Sequence, residues 1–129
     1  MIGGIVVDSA AVLAMFFGET HGPWANRQLK ESPFACMSTI NLAECLMLFR
    51  KRRPADAEEF ERRLLELPID FVPPDVQQAK IAAKARDRFP LNIGDCFAYA
   101  LAKTENLPIL TLDADFRHLD VPAILPPAA

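Results

Sequence analysis

The stretch "GGIVVDSAAVLAMFFG" (3–18) indicates the fold class of this chain. It begins with glycines and a short β-branched run that ends at Asp8, which is typical of a strand buried on both faces. The composition then changes to an alanine-rich helical pattern that closes at Gly18, a residue type that commonly ends helices. The first unit is therefore a strand followed by a helix, with an acid at their junction.

The same alternation of short apolar runs and helical patterns continues along the chain. It predicts further strands at 34–38, 69–73 and 108–112, a short edge strand at 121–125, and helices at 20–31, 38–51, 54–67, 75–89 and 94–106. Strands separated by helices imply a mainly parallel sheet covered on both faces, with right-handed crossovers. We expect one α/β domain over residues 1–129, since this length fits a single domain.

The composition is that of an ordinary globular protein, with a net charge of −3 that gives no global signal for nucleic acid binding. This charge counts against a simple electrostatic binder. The first residues lack the basic segment of a signal peptide, and no apolar run approaches the ~20 residues needed to cross a bilayer. We therefore expect a cytoplasmic protein with no membrane association.

The cysteine and histidine residues do not predict a metal centre. Cys36, Cys45 and Cys96 are odd in number and lack CxxC or CxxH spacing, which favours reduced, partly buried thiols over a disulfide framework or a zinc site. His21 and His118 stand far apart, without a second imidazole at helical spacing. Surface or loop positions are expected for both histidines.

Several acids occupy positions where an α/β protein places its functional groups. Asp8 follows the first predicted strand, Asp113 and Asp115 follow the strand at 108–112, Asp95 begins a helix, and Glu44 lies inside an apolar helix. In an open α/β sheet the functional crevice lies beyond the carboxyl ends of the strands. These acids are therefore candidates for one shared site.

Each acid also has a purely structural explanation. Asp8 and Asp95 could cap helices, and Asp113 could hold a turn through its side chain. Glu44 is harder to explain this way, because a buried carboxylate is costly unless it is paired or bound to a metal. Its candidate ion-pair partners are Arg50 and Arg86.

Taken together, the acids predict a binding site for a hard divalent cation. Clustered carboxylates raise one another's pKa values, so a cluster persists mainly where something positive binds. Oxygen ligands without imidazole or thiolate suit Mg²⁺ or Mn²⁺, which often bridge to phosphate groups. The chemistry indicated is hydrolysis of a phosphodiester by a metal-activated water.

Three segments carry a resemblance to a known family: "IVVDSAAVLAMFFGE", "STINLAECL" and "GDCFAYALAKTENLPILTLDADF". With these segments the chain resembles the PIN-domain nucleases and, within them, the VapC-type toxins of bacterial toxin–antitoxin pairs. The resemblance implies a three-layer α/β/α domain with a central parallel sheet of four to five strands. It also implies a Mg²⁺- or Mn²⁺-dependent endoribonuclease that acts on RNA, forms a homodimer and is neutralised by a cognate antitoxin protein.

The resemblance also implies roles for individual residues. Asp8, Glu44 and Asp95 match three catalytic, metal-binding acids of the family, and Asp113 is the preferred fourth. Asp115 is the alternative to Asp113 as the fourth metal ligand. It stands directly before Phe116, and in many relatives the corresponding acid also stands directly before a phenylalanine. Ser9 resembles a hydroxyl residue that supports the first acid. Leu119 stands where relatives usually carry a threonine, so one hydroxyl is missing.

A nuclease needs basic residues for phosphate contacts, and the segment 50–53 (Arg50, Lys51, Arg52 and Arg53) is the first candidate. A solvated helix terminus explains these charges equally well. Two other functions stay open: a PIN-like module that binds RNA or protein without cleavage, and a different metal-dependent phosphohydrolase. The acids argue against the first, and "DSAA" after the first strand lacks the second acid of a phosphoaspartate enzyme.

Overall fold

The computed structural model describes residues 3–127 and contains a sheet whose five strands all pair in parallel. The strands are β1 (Gly4–Val7), β2 (Phe34–Ser38), β3 (Asp70–Val72), β4 (Ile109–Leu110) and β5 (Ala123–Ile124). Their spatial order is β3-β2-β1-β4-β5, which places β1 at the centre. The predicted parallel sheet is confirmed.

Six α-helices and one 3-10 helix connect these strands within residues 3–127. They are α1 (Ser9–Phe16), α2 (Gly22–Glu31), α3 (Thr39–Arg52), α4 (Ala57–Glu66), α5 (Val76–Arg88), α6 (Ile93–Glu105) and the 3-10 helix (Ala114–His118). The predicted helical start at Pro54 is wrong, because the Asp56 N–H donates to the Arg53 carbonyl and forms a turn before α4. The 3-10 helix is too short to produce a periodic sequence pattern.

The two faces of the sheet carry separate apolar cores. Ile5 and Val7 of β1 pack with α1, α2, α3 and α4, whereas Val6 packs with α5, α6 and the 3-10 helix. This division follows from the period of two along a strand, which sends successive side chains to opposite faces. The arrangement is the predicted three-layer α/β/α structure.

The strand order creates a crevice at the carboxyl end of the sheet. β1 pairs with β2 on one side and with β4 on the other, so the chain winds away from β1 in two directions. Such a switch point is where open α/β sheets bind their ligands. Asp8 directly follows β1 at this point, and Thr111 directly follows β4.

All three cysteines are free, as the sequence predicted, and they are fully rather than partly buried. In the part of the chain that the structure describes, the helices are too short or too polar to cross a bilayer.

Candidate active site

Asp8 lies at the carboxyl end of β1 with only 3% of its surface exposed. Its carboxylate does not cap α1; Oδ2 instead accepts a hydrogen bond of 2.8 Å from the Thr111 hydroxyl. Burial is the main cause that raises the pKa of Asp8 from 3.8 to about 7. The Thr111 hydrogen bond opposes this rise, and the nearby charges of Asp95 and Glu44 add to it. Asp8 thus occupies the N-cap position of α1, but the predicted cap through its side chain is wrong.

Glu44 reaches the same crevice from the second turn of α3. Its Oε1 accepts a very short hydrogen bond from the hydroxyl of Ser9, so the predicted supporting residue does contact an acid. The proposed ion pairs with arginine are not formed, because Arg50 binds Glu61 and Arg86 donates to a backbone carbonyl. Glu44 is therefore a half-buried acid held by a hydroxyl group.

Gly94 explains how α6 approaches Glu44 so closely. A β-carbon built on Gly94 would lie 2.6 Å from Glu44 Oε1 and 2.8 Å from Oε2, which is inside van der Waals contact. Gly94 has the ordinary backbone conformation of a helical residue in α6, so its importance lies in its missing side chain. Its missing side chain leaves the space that the Glu44 carboxylate occupies.

Asp95 lies in the first turn of α6, where it takes part in a capping box with Asn92. Asn92 is the helix cap, and the Asp95 carboxylate accepts its backbone N–H at 3.2 Å. Burial raises the pKa of Asp95, against the lowering effect of this hydrogen bond. The nearby charges of Asp113, Glu44 and Asp115 raise it further, which indicates that these three acids lie near Asp95.

Asp113 and Asp115 enter the site from the segment after β4. Asp113 is half-buried and accepts a hydrogen bond of 2.9 Å from the Asp115 N–H, so it holds the start of the 3-10 helix as a turn residue would. Asp115 is exposed. Asp113 contributes more than Asp115 to the raised pKa of Asp95. These differences favour Asp113 as the fourth acid.

Two residues of the site were not predicted from the sequence. Thr111 donates to Asp8 and accepts the Asp113 N–H at 3.1 Å, so its hydroxyl joins two acid-bearing segments. Asn41 is fully buried and donates hydrogen bonds of 3.0 Å to Ser9 Oγ and to the Gly94 carbonyl. The available signals were a hydroxyl in the apolar run "PILTL" and an amide on the same helical face as Glu44, three residues earlier.

The donor chemistry of this crevice fits a hard divalent cation. The side chains are carboxylates, and the ion pairs formed in residues 3–127 do not include Asp8, Glu44, Asp95 or Asp113. Within that same range, no three acidic, cysteine or histidine side chains converge closely enough to hold an ion as they stand. Asp8 and Asp95 therefore lie within range of the other acids' charges without forming a closed ligand set. Holding an ion would require the carboxylates to draw together.

The basic segment 50–53 lies at the other end of α3, and all four side chains are exposed. Arg50 pairs with Glu61 at 3.3 Å, Arg52 with Glu19 at 3.8 Å and Arg53 with Asp56 at 2.6 Å. Arg52 also lies 4.2 Å from the centre of the Phe17 ring. Lys51 is the member of this segment without an ion pair in the described residues.

Comparison with known proteins gives a family for the chain. Residues 5–122 match the model of the PIN domain family. The VapC ribonuclease Mb2780c of Mycobacterium bovis is 32% identical over 126 residues, which cover 91% of this chain and 96% of that protein. Ribonuclease VapC30 of Mycobacterium tuberculosis is 29% identical over 131 residues, with coverage of 95% and 100%.

Solved structures show the same fold. VapC20 of Mycobacterium tuberculosis, a sarcin-ricin loop cleaving toxin, superposes with a TM-score of 0.79 at 17% identity and covers 95% of this chain and 99% of that one. A toxin–antitoxin complex from Klebsiella pneumoniae gives a TM-score of 0.71 at 18% identity, with coverage of 90% and 92%. At these identities the likeness establishes the fold alone.

Proposed function

Because the chain belongs to the PIN-domain family and, within it, to the VapC ribonucleases, we propose that it is a metal-dependent endoribonuclease. Its substrate is RNA, its cation is Mg²⁺ or Mn²⁺, and its role is that of the toxin in a toxin–antitoxin pair. The observation that carries this proposal is the set of uncompensated acids at the switch point of the sheet. Four separate segments of the chain bring Asp8, Glu44, Asp95 and Asp113 there.

Asp8, Glu44, Asp95 and Asp113 are the residues that would hold the cation. When bound, such an ion lowers the pKa of a water molecule and stabilises the leaving oxygen of the phosphodiester. The chain itself contributes orientation: Thr111 fixes one oxygen of Asp8, Ser9 fixes one oxygen of Glu44, and the capping box fixes Asp95. Each of these three acids is thus held by a hydrogen bond at one of its oxygens, and the carboxylates would draw together around an ion.

Asp8 also gives the site a proton to release. Burial raises the pKa of Asp8 to about 7, so its carboxyl holds a proton below that pH. A cation competes with this proton for the same carboxyl group. Binding should therefore strengthen as the pH rises through 7, and it should release a proton below that value.

The antitoxin partner is proposed to bind a groove between α2 and α4. This groove has a volume of about 730 Å³, and the end of α1 and the loop that follows it also contribute apolar and polar residues to its lining. Its lining includes Met15, Phe16, Pro23, Leu67, Arg63 and Glu66. An amphipathic helix of a partner protein suits such a surface. The predicted homodimer stays a prediction.

Cleavage of total cellular RNA by the purified protein tests the nuclease assignment. Reactions contain Mg²⁺ or Mn²⁺, and parallel reactions contain EDTA. The variant Asp8→Ala combined with Asp95→Asn removes two acids of the site, whereas Asp87→Asn removes an exposed acid on α5 as a matched control. We expect discrete fragments from the native protein and the control only, and only with a divalent cation.

Two results would contradict the proposal. Cleavage that persists in EDTA would exclude the metal-dependent mechanism. Folded protein that binds Mn²⁺ but cuts none of the cellular RNA would favour a binding module without nuclease activity.

A further inference from the structure

We infer that Asn41 is a positioning residue that sets the Glu44 carboxylate for cation binding, by joining α1, α3 and α6 through two hydrogen bonds. The inference rests on the proposed metal-dependent function. Asn41 lies on α3 one turn before Glu44, and its side chain is fully buried. It does not bond Glu44 directly, so its effect must pass through its neighbours.

The first connection passes through the hydroxyl of Ser9. A serine hydroxyl has one proton to donate and two lone pairs to accept. Asn41 Nδ2 donates to Ser9 Oγ at 3.0 Å and thereby occupies one of the lone pairs. The hydroxyl proton has two acceptors within reach, the Asn41 backbone carbonyl at 3.4 Å and the nearer Glu44 Oε1, with which Ser9 forms its short hydrogen bond. The Asn41 amide therefore fixes the orientation in which Ser9 holds Glu44.

The second connection passes through the backbone of α6. The other proton of Asn41 Nδ2 is donated to the Gly94 carbonyl at 3.0 Å. Gly94 is the residue whose missing side chain makes room for the Glu44 carboxylate, and Asp95 is next in the chain. One amide group therefore fixes the distance between the helix that carries Glu44 and the helix that carries Asp95.

The rest of the Asn41 side chain argues against a role in stability alone. Its Oδ1 is buried without a hydrogen-bond partner in residues 3–127. An unpaired buried acceptor destabilises a fold, whereas an apolar side chain of the same shape would leave no such defect. The two donated hydrogen bonds, both directed at the acid site, are what an apolar residue could not replace.

Titration of the metal-free protein with Mn²⁺ by calorimetry tests the inference without RNA. The variant Asn41→Leu keeps the volume of the side chain and removes both hydrogen bonds. We expect Mn²⁺ affinity to fall by about 10- to 100-fold, as is usual when a partner behind a metal ligand is lost. Thermal unfolding should shift by no more than about 4 °C.

Two further variants separate positioning from general stability. Ser38→Ala removes the hydroxyl that caps α3 and accepts the Ile40 N–H, so it should lower Tm while leaving Mn²⁺ affinity unchanged. Ser9→Ala should weaken Mn²⁺ binding, and combining it with Asn41→Leu should add little, because both changes break one connection to Glu44. If Asn41→Leu does not fold, Asn41→Ala replaces it in every comparison.

The outcomes distinguish this inference from the proposed function. Native protein that does not bind Mn²⁺, or binding that survives Glu44→Gln unchanged, would overturn the metal site and the role of Asn41 with it. Loss of binding in Glu44→Gln together with native affinity in Asn41→Leu would overturn the role of Asn41 alone. Full additivity of Asn41→Leu and Ser9→Ala would also overturn it, because independent effects exclude a shared connection.

Discussion

The two ends of α3 carry opposite charges. The charge towards its start has no ion-pair partner, whereas most of the charges at its end do. Near its start, Glu44 faces Asp8 and Asp95, and the ion pairs in residues 3–127 include none of these acids. At its end, the arginines of segment 50–53 each have a carboxylate partner. The acids therefore still have a charge to be neutralised, whereas most of the bases do not.

Under the proposed function, unpaired charge identifies the site better than the density of charge along the sequence does. Segment 50–53 is the denser cluster in the sequence, yet its arginines pair with Glu61, Glu19 and Asp56 on the protein's own surface. It also lies about 9 to 14 Å along the helix axis from Glu44, at 1.5 Å per residue. The four acids equal the segment in number, but Asp8 is buried and the other three are half-buried, where a like charge is costly.

Removing the buried charge of Asp8 should give the largest effect on stability. In EDTA, we expect Asp8→Asn to raise the free energy of unfolding at pH 8 by up to about 4 kcal/mol. The reason is that burial raises the pKa of Asp8 to about 7, and an amide can still accept the Thr111 hydroxyl. Urea unfolding of both proteins between pH 4 and pH 8 measures the difference.

The sign of this pH dependence follows from proton uptake. Between pH about 4 and about 7 the unfolded chain has lost the Asp8 proton while the folded protein still holds it. The stability from this group is therefore present below pH 4 and is lost as the pH rises towards 7. Curves for the native protein and Asp8→Asn that run parallel over this range would show that the carboxyl is not buried with its proton.

Gly94→Ala should separate activity from stability. The new β-carbon would displace the Glu44 carboxylate, which is the mobile end of a side chain, so the fold can adapt. Alanine also favours a helix over glycine by up to about 1 kcal/mol. We expect RNA cleavage to fall by about 10²-fold, as for a catalytic group misplaced by about 1 Å, with Tm unchanged or slightly higher.

Gly22→Ala is the matched control for this variant. A β-carbon on Gly22 would lie 2.6 Å from the Ala14 carbonyl oxygen, and backbone cannot move aside as a carboxylate can. Gly22→Ala should therefore lower Tm and leave the cleavage rate of the folded protein unchanged. Native cleavage by Gly94→Ala would mean that the position of Glu44 is not critical.

A smaller difference in cleavage rate should separate variants of Asp113 from variants of Asp115. Asp113 is half-buried and bonded to the backbone, whereas Asp115 is exposed and contributes less to the pKa of Asp95. We expect Asp113→Asn to reduce cleavage by about 10-fold more than Asp115→Asn. Loss of a metal ligand, or of a residue that supports one, usually reduces activity by at least that factor. Single-turnover rates at saturating Mn²⁺ measure both; an equal or reversed ranking would assign the fourth acid to Asp115.

The elements and the acids of this protein could be predicted because their signals are local. A β-branched run followed by Asp8, and an apolar helix that contains Glu44, are visible within a few residues. The rule that parallel sheets bind ligands at their carboxyl ends then brings the acids together without knowledge of the strand order. The start of α6 near Asp95 could also be predicted from a local signal, an acid at the beginning of an apolar helix.

The supporting contacts could not be predicted because they join distant parts of the chain. Thr111 meets Asp8 across 103 positions, and Asn41 meets Gly94 across 53. These pairs depend on which strands are neighbours and on how closely α3 and α6 pack, neither of which a periodic pattern encodes. The space that Gly94 leaves for Glu44 could not be predicted for the same reason, since Glu44 comes from another helix.

Variants of the basic segment should have the smallest effect, and it is an effect on RNA binding. The size of that effect should depend on whether the substituted residue already has an ion-pair partner. If segment 50–53 contacts RNA, a lysine without a carboxylate partner should contribute more to binding than an arginine already neutralised by Asp56. We expect Lys51→Glu to reduce the salt slope of RNA binding by about 0.7, the value for one phosphate contact to a single strand, and Arg53→Glu to reduce it less. Binding of a catalytically inactive Asp95→Asn protein, measured from low to moderate salt, gives both slopes. Native slopes in both variants would assign the segment to the ordinary solvated end of a helix, because a phosphate contact cannot be removed without releasing fewer counterions.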